Sequence, residues 1–333
     1  MPIQAYAAHQ AGGALERWEY KPKDLAPYDV EIDISHCGIC HSDLHMLDND
    51  WGISQYPLVP GHEIIGTVTA LGEQVTHLKV GQRVGVGWQR SACLNCDVCA
   101  AGHDQLCPNS SAVIVGNYGG FAERIRTDSR FAFAIPDALS SENAAPLLCA
   151  GVTVYSPLSR LGHSAQRVGV VGIGGLGHLA VQFAAKMGME VTAFSSTPAK
   201  ADEARELGAS NVINSRDDAA LKAARYSLDM LVVTVHVSLN WRRYLQMLRP
   251  NGTLCFVGAV GEPMQLSIGA LIDKQYTVTG SSIGSRATMR EMLDFAARHG
   301  VTAWTETLPM DDVNTALERL RRNDVRYRFV LEA

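Results

Sequence analysis

RVGVVGIGGLGHLAVQFAAKM, residues 167–187, joins an apolar run to an amphipathic run through a glycine-rich turn. The pattern predicts a buried strand at Arg167–Ile173 and a helix at Leu176–Met187. A G-x-G-x-x-G turn in this context favours dinucleotide binding over a tight turn without a ligand, because it permits close backbone approach to a pyrophosphate at a helix N-terminus. The predicted binding residues are Gly172, Gly174, Gly175, Leu176 and Gly177.

The sequence pattern changes character near residue 150. After it, apolar runs alternate with helical patterns, which predicts a doubly wound parallel sheet. The further strands are predicted at Glu190–Ser195, Asn211–Asn214, Asp229–Val235, Thr253–Ala259 and Thr277–Ser281. Before residue 150, short alternating segments such as Val30–Ile34 and Gly66–Ala70 lie between turn residues and predict a β-rich domain. A helix is predicted at Met289–Arg298, ahead of a closing apolar segment.

Composition restricts the classes of function. The 333 residues carry a net charge of −5 and are 47% hydrophobic, as expected for a soluble globular protein. No basic face favours nucleic-acid or anionic-membrane binding, and no apolar run is long enough for a transmembrane helix. The first ten residues lack a secretory pattern, so we expect a cytoplasmic protein.

Four closely spaced cysteines predict a structural zinc site. Cys93, Cys96, Cys99 and Cys107 follow the spacing C-x2-C-x2-C-x7-C. Zinc takes four thiolates in tetrahedral geometry, and the filled coordination shell would leave no open position for chemistry. Disulfides or an iron–sulfur cluster are the alternatives, but an intracellular setting and the spacing disfavour both.

The choice of dinucleotide depends on the end of the second predicted strand. The segment 194–200 reads FSSTPAK and has no carboxylate, whereas an NAD-selective site usually has one there to accept from the ribose hydroxyl. Hydroxyls and a lysine suit the 2′-phosphate of NADP(H), so we predict binding by Ser195, Ser196, Thr197 and Lys200. Helix capping by Ser196 or Thr197 ahead of Pro198, and simple solvation of Lys200, are the alternatives.

A second metal centre is suggested by Cys40, His62 and Cys149, which lie far apart in sequence. Two thiolates and an imidazole form a three-ligand set that leaves a fourth position open. By spacing alone this set is weak, since isolated cysteines and histidines more often pack in cores. Cys37 and Cys40 also form a C-x-x-C pair, so a redox pair is a competing interpretation.

Together these motifs closely resemble the zinc-dependent medium-chain alcohol dehydrogenases, and within them the cinnamyl-alcohol-dehydrogenase-like, NADPH-dependent aldehyde reductases. The resemblance spans essentially the whole chain and rests on residues 40–43, 61–63, 93–107, 148–153 and 172–177, and on Arg328. It implies an α/β protein: a GroES-like β-rich catalytic domain at 1–149 and 286–333, with the zinc lobe at 93–107, and a Rossmann cofactor domain at 150–285.

The resemblance also implies roles for single residues. Cys40, His62 and Cys149 would bind a catalytic zinc, with Glu63 as a transient ligand and Cys37 as a packed thiol. Asp43 would orient His62. Ser42 would hydrogen-bond the substrate oxygen, and His45 would continue the proton path to solvent. His41 and Arg328 would contact the cofactor pyrophosphate, Thr153 would pack at the nicotinamide, and Trp51 and Trp88 would line the substrate pocket, with plain core packing as the alternative for both tryptophans.

The expected activity is hydride transfer between NADP(H) and aromatic or medium-chain aldehydes and primary alcohols, with two zinc ions per chain. The short segment from Cys107 to Phe121 leaves the aldehyde preference open. The alternatives are an NAD-preferring alcohol dehydrogenase with small aliphatic substrates, a non-catalytic cofactor-sensing protein, and a zinc-free quinone or enoyl reductase. The last should lack both cysteine sets. The family further implies a homodimer.

Overall fold

The computed structural model describes residues 1–197 and 199–333. Its contacts divide the chain into two compact units, one formed by Met1–Val152 with Gly284–Ala333 and the other by Thr153–Ile283. No helix within the described ranges is both long and apolar enough to cross a membrane.

The first unit begins with nine strands and three short α-helices. The strands are β1 Ile3–Ala7, β2 Glu16–Tyr20, β3 Asp29–Ile39, β4 Glu63–Leu71, β5 Arg83–Val86, β6 Gln89–Ser91, β7 Ser111–Ala112, β8 Arg124–Asp128 and β9 Ala132–Ala134. The helices are α1 His41–Asp48, α2 Asp97–Ala100 and α3 Ser141–Ala144, and 3-10 turns occupy Asp104–Leu106, Ser129–Phe131 and Ala145–Leu148. Both segments predicted from alternation, 30–34 and 66–70, lie within β3 and β4.

The second unit is built on a six-stranded parallel sheet. Helix α4, Ala150–Leu161, leads into it. Its strands are β10 Arg167–Val171, β11 Glu190–Ser195, β12 Asn211–Asn214, β13 Leu228–Val233, β14 Leu248–Phe256 and β15 Thr277–Gly280, and the helices between them are α5 Gly177–Lys186, α6 Lys200–Glu206, α7 Asp218–Ala223, α8 Trp241–Leu245 and α9 Ile268–Lys274. The spatial order β12-β11-β10-β13-β14-β15 is that of a doubly wound sheet.

The chain then returns to the first unit. This last part comprises α10 Arg286–His299, β16 Thr305–Pro309, a 3-10 turn at Met310–Asp312, α11 Val313–Arg321 and β17 Arg328–Glu332. The large sheet of the unit has the order β16-β17-β3-β4-β5-β9, with β8 also paired to β3. The β16/β17 pair is parallel and the others are antiparallel.

Strand β17, from the last part of the chain, pairs with β3 in the large sheet and so determines the neighbours of β3. Gly38 on β3 pairs with Glu63 on β4 and with Val330 on β17. Residues more than 260 positions apart in sequence therefore meet across one strand. The core beneath this sheet includes fully buried side chains such as Ile64 and Phe329. Burial on this scale holds the neighbouring polar side chains in fixed positions.

The predicted element boundaries differ from the structure mainly at β14. Strand β11 has both predicted ends, but β14 begins at Leu248 and not at Thr253. The residues at 249–252, RPNG, favour turns and lie outside the predicted strand. Asn251 indeed has a φ of 65°, and the pairing of β13 with β14 shifts register between Leu228 and Met230. The strand continues through a local irregularity.

Candidate metal centres and dinucleotide loop

Three separate turns carry the residues predicted for the catalytic metal. Cys40 follows β3 in extended backbone and caps α1. His62 comes directly before β4, after Gly61, whose φ of 94° suits glycine. Cys149 ends the 3-10 turn that precedes α4. Each side chain is therefore placed at the end of a regular element, where its position is fixed by backbone hydrogen bonds.

The structure brings these side chains together in a buried group. One ligand atom from each of Cys40, His62, Glu63 and Cys149 lies within 4.8 Å of all the others. The Cys40 and Cys149 sulfurs are 4.0 Å apart, and His62 Nε2 lies 3.3 Å from the Cys149 sulfur. Tetrahedral zinc would place two sulfurs about 3.8 Å apart and a sulfur and a nitrogen about 3.6 Å apart. The three donors thus fit a tetrahedral metal ion with one position left over.

The two thiols of this group differ in acidity. A hydrogen bond from Cys149 holds the pKa of Cys40 well below that of a free thiol, and the same contact, together with burial, raises the pKa of Cys149. Cys37, three residues before Cys40, is fully buried, and burial raises the pKa of its thiol. All eight cysteines are free thiols, so the C-x-x-C segment holds no disulfide.

Asp43 organises the turn around His62. Its Oδ1 lies 2.9 Å from His62 Nδ1 and also accepts from the backbone N–H of Gly61, while its Oδ2 accepts from the N–H of Cys40. Asp43 and His62 are both fully buried. A carboxylate can only accept, so Nδ1 carries a proton and donates it to Asp43, and Nε2 is the nitrogen that faces Cys149. A metal ion would bind at Nε2, with Asp43 holding the ring from its other nitrogen.

Glu63 and Arg328 form a buried ion pair next to the donors. An Arg328 terminal nitrogen donates to Glu63 Oε1, and both side chains are almost completely buried. Burial raises the pKa of Glu63 to about 7, although Arg328 opposes the shift. Within the described part of the chain, neither Glu63 Oε2 nor Arg328 Nε has a hydrogen-bond partner. An unpaired carboxylate oxygen at this depth is costly, and a nearby cation would satisfy it.

His45 and two tryptophans lie on the same side of the first unit. The His45 ring lies 5.2 Å from the Trp51 ring and its Nδ1 lies 2.7 Å from Asp50 Oδ2. Trp88 contacts both Trp51, at 6.1 Å between ring centroids, and His62, at 5.0 Å. The predicted pocket residues therefore form a continuous aromatic wall that starts at a metal-ligand candidate. Asp50 was not predicted, although a carboxylate five residues after a histidine across a helix C-terminus is a recognisable signal.

Ser42 and His41 open helix α1 beside this wall. Ser42 Oγ lies 3.7 Å from the Cys40 sulfur, so its hydroxyl is at the rim of the three-donor group. His41 is the first residue of α1 and is half-buried. Thr153 lies in α4 and is buried.

The four-cysteine lobe also converges. The Cys93 sulfur lies 4.0 Å from that of Cys99 and 3.5 Å from that of Cys107, and the Cys96 and Cys107 sulfurs are 3.9 Å apart. These distances bracket the roughly 3.8 Å that a tetrahedral four-thiolate zinc imposes. Backbone N–H groups of Asn95 and Cys96 lower the pKa of Cys93 to about 6, which favours the ligating thiolate.

One buried carboxylate anchors the lobe to the returning part of the chain. Asp104 Oδ2 accepts from the backbone N–H of Arg286, the first residue of α10, and lies 3.5 Å from its Nε. The Arg286 guanidinium also lies over the Phe131 ring, which packs against the lobe. The lobe is therefore tied to the first residue of α10 by a hydrogen bond and by ring packing.

The glycine-rich turn after β10 has the geometry of a ligand cradle. Gly172 has a φ of 95°, and a Cβ on Gly177 would lie 1.9 Å from the Gly172 carbonyl oxygen, so both positions require glycine. A Cβ on Gly174 would meet nothing within 4 Å, which leaves that face of the turn open. Thr234 Oγ1 donates to the carbonyls of Val171 and Gly172 and fixes the turn. With Gly175 and Leu176, the turn leads into the N-terminus of α5, where unpaired amides favour an anion.

The segment after β11 had two alternative interpretations, helix capping by Ser196 or Thr197 and simple solvation of Lys200. Helix α6 has Ala199 at its N-cap position, and no side-chain capping hydrogen bond is found there among the described residues. Pro198 lies outside the described residues. Ser195 Oγ instead bonds within its own turn, to the backbone of Thr197. Lys200 is half-buried and its Nζ donates to the carbonyl of Ile173 in the glycine-rich turn, and burial lowers its pKa. It is not a freely solvated lysine.

Comparisons with known proteins agree with this arrangement. The family model of the alcohol dehydrogenase GroES-like domain matches residues 26–137, and that of the zinc-binding dehydrogenases matches residues 175–298. Aldehyde reductase AdhA of Synechocystis is 44% identical over 330 residues, covering 99% of this chain and 98% of its own. The predicted family is thereby confirmed.

Solved structures give the same result for the fold. SbCAD4, a cinnamyl alcohol dehydrogenase of Sorghum bicolor, has a TM-score of 0.96 and 43% identity, covering 100% of this chain and 98% of its own. CAD from Helicobacter pylori, solved in complex with NADP(H), has a TM-score of 0.92 and 30% identity over 100% and 98% of the two chains. The predicted α/β class, GroES-like plus Rossmann, is confirmed. The chain therefore belongs to the zinc-dependent medium-chain alcohol dehydrogenases, in the branch of the cinnamyl alcohol dehydrogenases and aldehyde reductases.

Proposed function

We propose that this protein is a zinc-dependent, NADPH-using aldehyde reductase that acts on aromatic or medium-chain aldehydes and, in reverse, on primary alcohols. The observation that carries the proposal is that the side chains of Cys40, His62 and Cys149 meet in one buried group. Asp43 holds the imidazole of His62 through its Nδ1. We assign this chemistry to a catalytic domain at 1–149 and 286–333, and cofactor binding to a domain at 150–285.

The metal site is assigned from its donors. Cys40, His62 and Cys149 would hold the catalytic zinc, and Glu63 is the carboxylate near enough to join them. When bound, the zinc supplies a Lewis acid that polarises the substrate carbonyl toward hydride. The separate zinc held by Cys93, Cys96, Cys99 and Cys107 would be structural, because its donors fill all four positions.

Proton transfer falls to residues of the α1 turn. Ser42 offers its hydroxyl at the rim of the donor group and would give a proton to the substrate oxygen. His45, about one-quarter exposed, would exchange that proton with solvent, since imidazole is the side chain suited to proton exchange at physiological pH. Asp50 holds the His45 ring in place through Nδ1 and leaves Nε2 for the transfer.

The cofactor assignment rests on the second unit. The open face at Gly174 and the N-terminus of α5 suit a pyrophosphate, and His41 and Arg328 are further proposed pyrophosphate contacts, with Thr153 at the nicotinamide. The turn after β11 offers Ser195, Ser196, Thr197 and Lys200 and no carboxylate, which favours a 2′-phosphate. The NADP(H) complex of the H. pylori relative supports the same choice. NADPH would supply the hydride.

The substrate class follows from the aromatic wall. Trp51 and Trp88 present flat apolar faces that lead outward from His62, and Trp51 is partly exposed. Indole faces pack well against planar rings and alkyl chains. The wall therefore suits aldehydes with an aromatic or medium-length apolar body.

We further propose a cytoplasmic homodimer formed through the cofactor domain. Within the described residues, β15 is the end strand of its sheet and pairs with β14 alone, and Ile268 and Ile272 on the neighbouring α9 are 66% and 72% exposed. An exposed strand edge beside exposed isoleucines is a pairing surface. Replacing both with glutamate should give a monomer in sedimentation analysis, and an unchanged mass would contradict this interface.

The deciding experiment is the initial rate of cofactor oxidation with cinnamaldehyde, with NADPH compared with NADH at equal concentration, and with and without a zinc chelator. A chelator-sensitive rate that prefers NADPH supports the proposal. A rate with NADH and small aliphatic aldehydes would favour the NAD-preferring alternative. Zinc and cofactor binding with no turnover of any aldehyde would favour a cofactor-sensing protein.

A further inference from the structure

The carboxylate of Glu63 occupies a space that exists only because residue 38 is glycine. A Cβ built on Gly38 would lie 2.1 Å from Glu63 Oε2, 3.0 Å from its Cβ and 3.2 Å from its Cδ. Contacts below 3 Å between such atoms are forbidden by van der Waals repulsion. The backbone of Gly38 is held from both sides, by β4 through Glu63 and by β17 through Val330, so it cannot move away.

The two carboxylate oxygens of Glu63 differ in their hydrogen bonding. Oε1 accepts from Arg328, whereas Oε2, which is buried against Gly38, has no hydrogen-bond partner among the residues that the structure describes. An unpaired buried carboxylate oxygen raises the free energy of the folded state. The space beside Gly38, which we call the slot, therefore accommodates Oε2 but gives it no hydrogen bond within the described residues.

A neighbouring position could satisfy that oxygen. The Glu63 carboxylate lies within 4.8 Å of the ligand atoms of Cys40, His62 and Cys149. These three donors leave one position of a tetrahedral cation open, and a carboxylate is an acceptable zinc ligand. The Glu63 carboxylate thus has two places within reach, the slot beside Gly38 and the open metal position.

We propose that Gly38 is a positioning residue that keeps Glu63 out of the open metal position. The empty space at residue 38 receives Oε2 while Arg328 retains Oε1, so the fourth position stays available to substrate. A methyl group at residue 38 fills the slot and displaces Oε2, which can then turn to the open metal position or to the unpaired Nε of Arg328; we expect the metal position, with its higher charge, to take it. This inference rests on the metal site of the proposed function.

Cadmium-113 NMR of the protein reloaded with cadmium tests the inference. The four-cysteine lobe and the three-donor site should give two separate signals, and the lobe signal serves as an internal reference. In Gly38→Ala, we expect the three-donor signal to shift by more than its linewidth and the lobe signal to stay in place. Gly269→Ala is the control, because the nearest atom to a Cβ there is 3.8 Å away.

The variants separate the possible failures. Wild-type protein with the lobe signal alone would overturn the proposed catalytic metal site itself. Two wild-type signals that are both unchanged in Gly38→Ala would overturn the role of Gly38 and leave the proposed function intact. In Gly38→Ala/Glu63→Ala, the signal should match that of Glu63→Ala, because the displaced carboxylate is gone.

Folding of the variants gives a second readout. If Gly38→Ala does not fold, recovery of folded protein in Gly38→Ala/Glu63→Ala would support the inference, since most of the crowding is with the carboxylate. Failure of the double variant would overturn it, because the crowding would then come from the Glu63 Cβ or the backbone.

Discussion

His45 Nδ1 lies 2.7 Å from Asp50 Oδ2, so the histidine proposed to exchange protons is held by a carboxylate at the C-terminal end of its own helix. The carboxylate can only accept, which places the proton on Nδ1 and leaves Nε2 for proton transfer. The Trp51 ring lies against the imidazole as well. The orientation of the His45 ring thus depends on Asp50 and Trp51, which follow helix α1.

We expect Asp50→Asn to reduce kcat. The amide can donate to Nδ1 and so favours the wrong tautomer of His45. We expect a loss of roughly tenfold, a part of the 10²-fold or more that a positioned proton donor contributes. Steady-state rates of aldehyde reduction and alcohol oxidation measure it. Asp48→Asn is the matched control, because Asp48 pairs with Arg321 and not with His45. Equal effects of the two variants would contradict a role of Asp50 at His45.

Replacing Asp43 should weaken metal binding. Asp43→Asn removes the charged acceptor from His62 Nδ1, and loss of such a partner typically lowers metal affinity about 10–100-fold. Zinc content after dialysis against a competing chelator measures the change, which should affect one of the two zinc ions. Asp33→Asn on the exposed side of β3 is the control and should keep both. Retention of both zinc ions by Asp43→Asn would refute the assignment.

The four-cysteine lobe should hold its zinc independently of the first site. Cys96→Ser removes one of four converging thiolates, so we expect zinc content to fall from two to one ion per chain and the melting temperature to decrease. Leu106→Ser is the matched control within the lobe, because Leu106 is 55% exposed and supplies no ligand. A content of two ions in Cys96→Ser would contradict the four-thiolate site.

Lys200 should discriminate between the two cofactors. Lys200→Met removes a charge-assisted contact to a 2′-phosphate, which is worth about 1.5–3 kcal/mol and corresponds to roughly a 10–100-fold higher KM for NADPH. The KM for NADH should change little. Lys186→Met, on the exposed end of α5, is the control. Equal losses with NADPH and NADH would mean that Lys200 serves the glycine-rich turn through the Ile173 carbonyl and does not select the cofactor.

The Glu31–Arg126 pair should make stability depend on pH. Burial raises the pKa of Glu31. The guanidinium of Arg126, 2.7 Å away, has the opposite effect and, with the other partners of Glu31, outweighs burial, so the pKa is lowered overall. A lowered pKa contributes stability above the ordinary value near 4.3, and this contribution is lost as the pH falls through the folded-state pKa. Arg126→Met should therefore cost about 2 kcal/mol of unfolding free energy at pH 7. The cost should shrink near pH 3.

Chemical denaturation at the two pH values measures this difference. Arg205→Met is the control, because its partner Asp202 is almost fully exposed and such surface pairs contribute at most about 1 kcal/mol. A cost for Arg126→Met that is equal at both pH values would show that its packing, and not its charge, stabilises the fold.

Local pattern predicted much of the fold. The strand at Glu190–Ser195 has both of its expected ends, since a short apolar run between polar residues specifies a buried strand. The predicted start of β14 was wrong because the turn-forming residues 249–252 lie in an irregularity between Leu248 and Thr253, and both of these residues pair with β13. Pairing across a sheet overrides local preference, and local preference is all that a single segment contains.

The two candidate metal sites differ in how well their ligands could be predicted from the sequence. The lobe cysteines lie within one short loop, so their spacing alone predicts that they meet. Cys40 and Cys149 are 109 residues apart, and no spacing rule connects them. Only resemblance to a family suggested that set, and the fold then brought its members to one point.

The sequence by itself determined the family, the glycine-rich turn and the four-cysteine lobe, because each depends on neighbours along the chain. Tertiary structure decided the contacts that make the site specific: Asp50 at His45, Lys200 at the Ile173 carbonyl, and Glu63 between Arg328 and Gly38. Arg328 lies 265 residues from Glu63, and it meets that residue because β17 returns to pair with β3. Such contacts follow from how strands pack, and packing depends on the whole chain at once.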